Sequence, residues 1–90
     1  MPKFVIERTV PGAGQMDDGA LRDIAAQANA VLQEMGPSIQ WVTSYVTDDR
    51  ITCLYYAADA DVIREHAQRG GFPCNKVSEV RAMIDPTTAE

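Results

Sequence analysis

Ninety residues suit one small domain with a single core, and 1–90 is expected to be that domain, with 85–90 a mobile polar tail. A chain that is 46% hydrophobic and 23% charged is neither disordered nor fibrous, and its net charge of −5, with Lys and Arg scattered singly, argues against nucleic acid as a partner. No run approaches the roughly 18 apolar residues of a membrane span, and Met1-Pro2-Lys3 leads directly into a strand pattern, so a cytoplasmic location is expected.

In chain order, KFVIERTV (3–10) reads as a strand, with Phe4, Ile6 and Arg8 on one side and Val5, Glu7 and Thr9 on the other. Pro11-Gly12-Ala13-Gly14 ends it; this loop lacks the length and the Lys-Ser/Thr ending of a phosphate loop. Asp17 and Asp18 cap the next segment, in which Leu21, Ile24, Ala25, Ala28, Val31, Leu32 and Met35 follow the one-face spacing of a helix. Gly36-Pro37 stops that helix.

SIQWVTSYVTDDRITCLYYA (38–57) has the form of a hairpin turning at Thr47-Asp48-Asp49-Arg50, and it carries the only Trp, all three Tyr and one of two Cys. Strict alternation puts Trp41, Thr43 and Tyr45 on one side and Gln40, Val42, Ser44 and Val46 on the other. In the second strand Ile51, Cys53 and Tyr55 form one row and Thr52, Leu54 and Tyr56 the other. Both rows are bulky, so each face of the sheet needs a cover. A shorter helix follows from Asp59 to about Arg69, with Val62, Ile63, His66 and Ala67 inward and Gly70-Gly71 at its end. A last strand is expected over Lys76–Ile84.

Strand, helix, strand, strand, helix, strand is the α+β ferredoxin-like order, βαββαβ: a four-stranded antiparallel sheet with two helices on one face. The register assigns Phe4, Ile6, Trp41, Tyr45, Ile51, Cys53 and Tyr55 to the open face, too large an apolar patch for a monomer. Two such sheets stacked in a homodimer, as a dimeric α+β sandwich or barrel, would cover it; the C-terminal tail folding over that face is the alternative.

KFVIER with its following Pro-Gly, EMGPSIQWVTSYVTDDRI, IREHAQRGGFP and VSEVRAMIDPTTAE together resemble a small bacterial ferredoxin-like family of unassigned function that includes a nickel-binding, nickel-responsive protein. The resemblance spans nearly the whole chain. It implies a ferredoxin-like homodimer that binds nickel for sequestration or detoxification, with ions at the surface of the dimer. It carries no ligand over to a numbered position here.

Nickel takes imidazole, thiolate and carboxylate donors. One His and two Cys, without any HxH, HxxxH or CxxC spacing, leave a site to be assembled across the fold or the dimer, for example His66 with Glu65, Cys53 or a surface carboxylate. The two Cys are too few for a disulfide framework and are read as reduced thiols, and the Asp17-Asp18 and Asp48-Asp49 pairs as caps and turn formers. A lone His on an apolar helix face is more often a hydrogen-bonded core residue than a ligand. Its functional alternative is a helix-facing pocket in which Glu7, Gln40, Ser44 and Tyr56 join His66 as the base of an isomerase- or oxygenase-like enzyme.

Overall fold

The structure, a computed structural model, describes all ninety residues. The alternating segment Lys3–Thr9 forms strand β1, with Phe4, Ile6 and Arg8 buried and the residues between them half-buried or exposed. Helix α1 runs Asp18–Met35, capped by the Asp17 carboxylate accepting from the Ala20 N–H at 2.8 Å. The hairpin is β2 (Ile39–Val46) and β3 (Arg50–Ala57), closed by a Thr47 N–H to Arg50 carbonyl bond of 2.9 Å. Helix α2 (Ala60–Gly70) ends at Gly71, whose φ of +71° is the left-handed conformation that glycine adopts without a Cβ penalty. Strand β4 is Lys76–Glu79. The sheet order is β2-β3-β1-β4 and every neighbouring pair is antiparallel, giving the ferredoxin-like α+β arrangement. No helix is long and apolar enough to cross a membrane.

The helices cover the opposite face from the one the register assigned. Phe4, Ile6, Ile51, Cys53, Tyr55 and Ala57 form one buried cluster with Ile63 of α2. Four of the five residues expected at a dimer interface, Phe4, Ile6, Trp41 and Tyr55, therefore pack in or against the helix-facing core. Alternation defines two rows but does not say which one receives the helices. Charge decides it: the other row holds Lys3, Glu7 and Arg50, where Glu7 and Arg50 pair at 3.2 Å and the Lys3 ammonium lies 5.3 Å from the Tyr56 ring centroid. Burying those three beneath helices would desolvate charges that this face leaves partly in water.

A β-bulge at Val42 alters the hairpin. Trp41 pairs with Tyr55 but Thr43 pairs with Leu54, so one residue is extra and the alternation restarts. Ile39, Trp41, Ser44 and Val46 share the helix side with Ala57, Tyr55, Cys53 and Ile51, while Gln40, Thr43 and Tyr45 share the open side. Tyr45, 59% exposed, is the one member of the expected interface that lies on the uncovered face.

Strand β4 is shorter than Lys76–Ile84. Val80 donates the last bond, to the carbonyl of Lys3, the first residue of β1, so the partner strand ends there. Met83 and Ile84 then run out exposed, Met83 touching only the Lys3 ammonium by a polar contact, so the tail does not cover the sheet. A short capped 3-10 turn, Pro86–Ala89, follows.

The α2 cap gives a direct test of local structure. Asp59 accepts from the Val62 N–H at 2.9 Å, and Asp59→Ala is expected to lower stability by about 1 kcal/mol in urea unfolding with an unchanged slope.

Candidate functional site

Arg8 occupies the third position of the buried row of β1, after Phe4 and Ile6, where alternation alone would place an apolar residue. It is 4% exposed. Its Nε donates to Cys53 Sγ at 3.5 Å, its Nη1 donates to the Pro73 carbonyl, and its guanidinium lies 5.6 Å from the Phe72 ring centroid. None of the five ion pairs of the chain includes it.

Arg8 lines a cavity of about 470 Å³ between the first half of α1, the helix-facing side of the sheet and the loop after α2. Leu21, Ile24 and Ala25 of α1 stay half-buried because they face this space rather than the sheet. Trp41 and Tyr55 line it from the sheet, and Phe72 closes the end beyond α2. Phe72 reaches that position by lying across Gly70; a Cβ there would run into its ring. Beside Arg8 a donor chain runs from Trp41 Nε1 to Ser44 Oγ and on to Cys53 Sγ, both at 2.9 Å. An indole N–H only donates, so Ser44 accepts from Trp41 and spends its own proton on the sulfur. The bulge at Val42 makes this chain possible by bringing Trp41 and Ser44 to one side of β2. Burial pushes the Tyr55 hydroxyl up to about 12, reinforced by Cys53 and opposed by the Arg8 charge, so Tyr55 stays a neutral phenol.

The residues expected to form a pocket around His66 are not assembled. Glu7, Gln40 and Tyr56 project from the opposite face of the sheet; Ser44 is on the helix side, but it bonds Trp41 and Cys53. His66 is sealed at 0% exposure between the rings of Tyr55 and Phe72, with centroids at 5.5 and 5.7 Å, and does not line the cavity. Its Nε2 lies 3.2 Å from the Ala28 carbonyl. A carbonyl only accepts, so Nε2 carries the proton and Nδ1 is left as an acceptor without a partner. A base in this position reaches no substrate.

The expected metal donors are likewise apart. Cys53 lies in the sheet layer, His66 points inward from α2, and Glu65 points outward and pairs with Arg69 at 2.7 Å. No group of three or more His, Cys, Asp and Glu side chains stands together, so the donors of one chain do not fit a nickel ion. Cys53 and Cys74 are both free thiols. Arg8 and Phe72 are the cleft residues that the sequence did not single out, and Trp41 was expected at a dimer interface instead; the available signal was an Arg in register with Phe4 and Ile6.

A crystal structure of SCO4226 from Streptomyces coelicolor A3(2) is similar to this chain, with a TM-score of 0.77 and 15% identity over 91% of this chain and 99% of that one. At that identity the likeness speaks for the fold alone. No curated protein matches the sequence. The family profile described as "Nickel responsive protein SCO4226-like" matches residues 4–80, from β1 through the end of β4. With that span matched, the chain belongs to the SCO4226-like family of nickel-responsive proteins.

Proposed function

We propose that this chain acts in the response to nickel as a homodimer, holding the divalent ion for sequestration or detoxification with donors drawn from more than one copy. Membership of the nickel-responsive family carries this reading. The scatter of donors in one chain favours a shared site over an internal one. The open face of the sheet supports the dimer, because Val5, Leu54 and Tyr56 remain half-buried and Val42 and Tyr45 exposed, with no helix over them. Untagged, metal-free protein is expected to give a saturable nickel isotherm by calorimetry; heat no larger than the buffer blank removes the metal reading. Leu54→Asp, which puts a charge in the middle of the open face, is expected to turn the dimer into a monomer by light scattering and to abolish nickel binding. A dimer that survives this change is not built on that face.

The cavity supports a second reading, that the domain binds a small organic molecule. Its 470 Å³ falls within the roughly 300–1,000 Å³ of ligand pockets, and its walls are largely apolar.

A further inference from the structure

We propose that the cleft takes a small monocarboxylate with an apolar body, its carboxylate on the Arg8 guanidinium and its body between α1 and the rings of Trp41 and Phe72. This deepens the reading of the cleft as a ligand site and rests on it. A guanidinium stays charged at every working pH, and a buried cation is retained at large cost unless an anion answers it. Here the answering groups are all neutral, a sulfur at 3.5 Å, a backbone carbonyl and the neighbouring Tyr55 hydroxyl, so no anion in the chain meets the charge. The nearest carboxylate in sequence, Glu7, is on the other face of the sheet and is paired with Arg50.

The rest of the lining narrows the ligand. Arg8 is the only Lys, Arg, His, Asp or Glu among the residues lining the cleft. One guanidinium matches one carboxylate through parallel N–H bonds. A phosphate dianion would need several further donors, and of the three polar side chains beside Arg8 two are committed, Trp41 Nε1 to Ser44 and Ser44 Oγ to Cys53, which leaves the Tyr55 hydroxyl alone. The remaining wall, including Leu21, Ile24, Ala25 and Ile51, offers only apolar surface, which suits an aliphatic or aromatic body.

The test titrates untagged protein by calorimetry with benzoate, 4-phenylbutyrate and octanoate and with the primary amide of each. At least one acid is expected to saturate, with its amide binding roughly ten- to a hundredfold more weakly. Arg8→Met is expected to reduce the acid to the affinity of the amide and leave the amide unchanged. Ala25→Phe, which fills the cleft from the half-exposed side of α1, is expected to abolish binding of both and carries the localisation should Arg8→Met not fold. Equal affinity for an acid and its amide in the unmodified protein overturns the carboxylate assignment while leaving the cleft as a ligand site. No saturation by any of the six probes overturns both. Binding that survives Ala25→Phe places the acid elsewhere and overturns the proposal.

Discussion

Ile63→Ala is expected to lower the unfolding free energy by about 2–5 kcal/mol, close to the whole stability available to some domains of this size. Ile63 is fully buried on α2 and is the one α-helical residue in the cluster that includes Phe4, Ile6, Ile39, Ile51, Cys53 and Tyr55. Removing its outer carbons leaves a hole walled by strand residues that the hydrogen-bonded sheet keeps in place, so little collapse offsets the loss. The cleft beneath α1 adds to this sensitivity. Because Leu21, Ile24 and Ala25 face the cavity, the first half of α1 contributes less packing than its apolar stripe would otherwise allow, and α2 carries more of the seal. Urea unfolding should show a lower midpoint with an unchanged slope, and near-ultraviolet dichroism should keep its native form in the absence of denaturant. Ile84→Ala, at a residue 83% exposed, is the control and should move stability by less than about 0.5 kcal/mol. A loss under about 1 kcal/mol for Ile63→Ala would show that α2 is not seated on the sheet as described.

Element identity was legible because each element carries its own local chemistry. Asp17 and Asp59 cap the helices, Gly36 and Gly71 take positive φ beyond their ends, and Thr47 to Arg50 close the hairpin. The choice of sheet face was harder, since Phe4, Ile6 and Tyr55 on one row and Val5, Leu54 and Tyr56 on the other are comparably apolar. What separates the rows is a few charges at strand positions, and the decisive residue cuts against the rule: Arg8 sits in the buried row and Glu7 in the open one. The bulge at Val42 has no signature in IQWVTSYV, where an unbroken alternation fits the same letters. Without it Ser44 and Trp41 fall on opposite sides, and the donor chain to Cys53 cannot be written down. The cleft was not legible either, because the stripe of α1 is that of any packed helix; only the path of Phe72 back across Gly70 and the distance of α1 from the sheet create the space.

Lowering the pH from about 7 to about 5.5 is expected to destabilise the protein through His66 alone, and His66→Phe is expected to remove most of that loss. Burial lowers the affinity of the folded His66 for its proton below the ordinary 6.5; the Ala28 carbonyl opposes this and the Arg8 charge adds to it. The groups facing the ring are the Ala28 carbonyl, the rings of Tyr55 and Phe72, and the Arg8 charge beyond them, with no carboxylate to welcome an imidazolium. A second proton would go to Nδ1, which is already without a partner inside the core. The unfolded chain takes that proton near 6.5 and the folded chain does not, so below this value the unfolded state binds more protons. Stability is therefore complete above about pH 6.5 and falls below it, with a limiting slope of about 1.4 kcal/mol per pH unit until the folded imidazole itself titrates. Since His66 is the only His in the sequence and carboxylates titrate mainly below about pH 5, the window between belongs to this one side chain. Phe at this position keeps an aromatic ring between Tyr55 and Phe72, loses the single bond to Ala28 and has nothing to protonate. The wild type's lead in urea midpoint over His66→Phe should thus be greatest at neutral pH and shrink or reverse toward pH 5.5; parallel pH profiles would mean that the His66 ring reaches water and takes up its proton in the folded state.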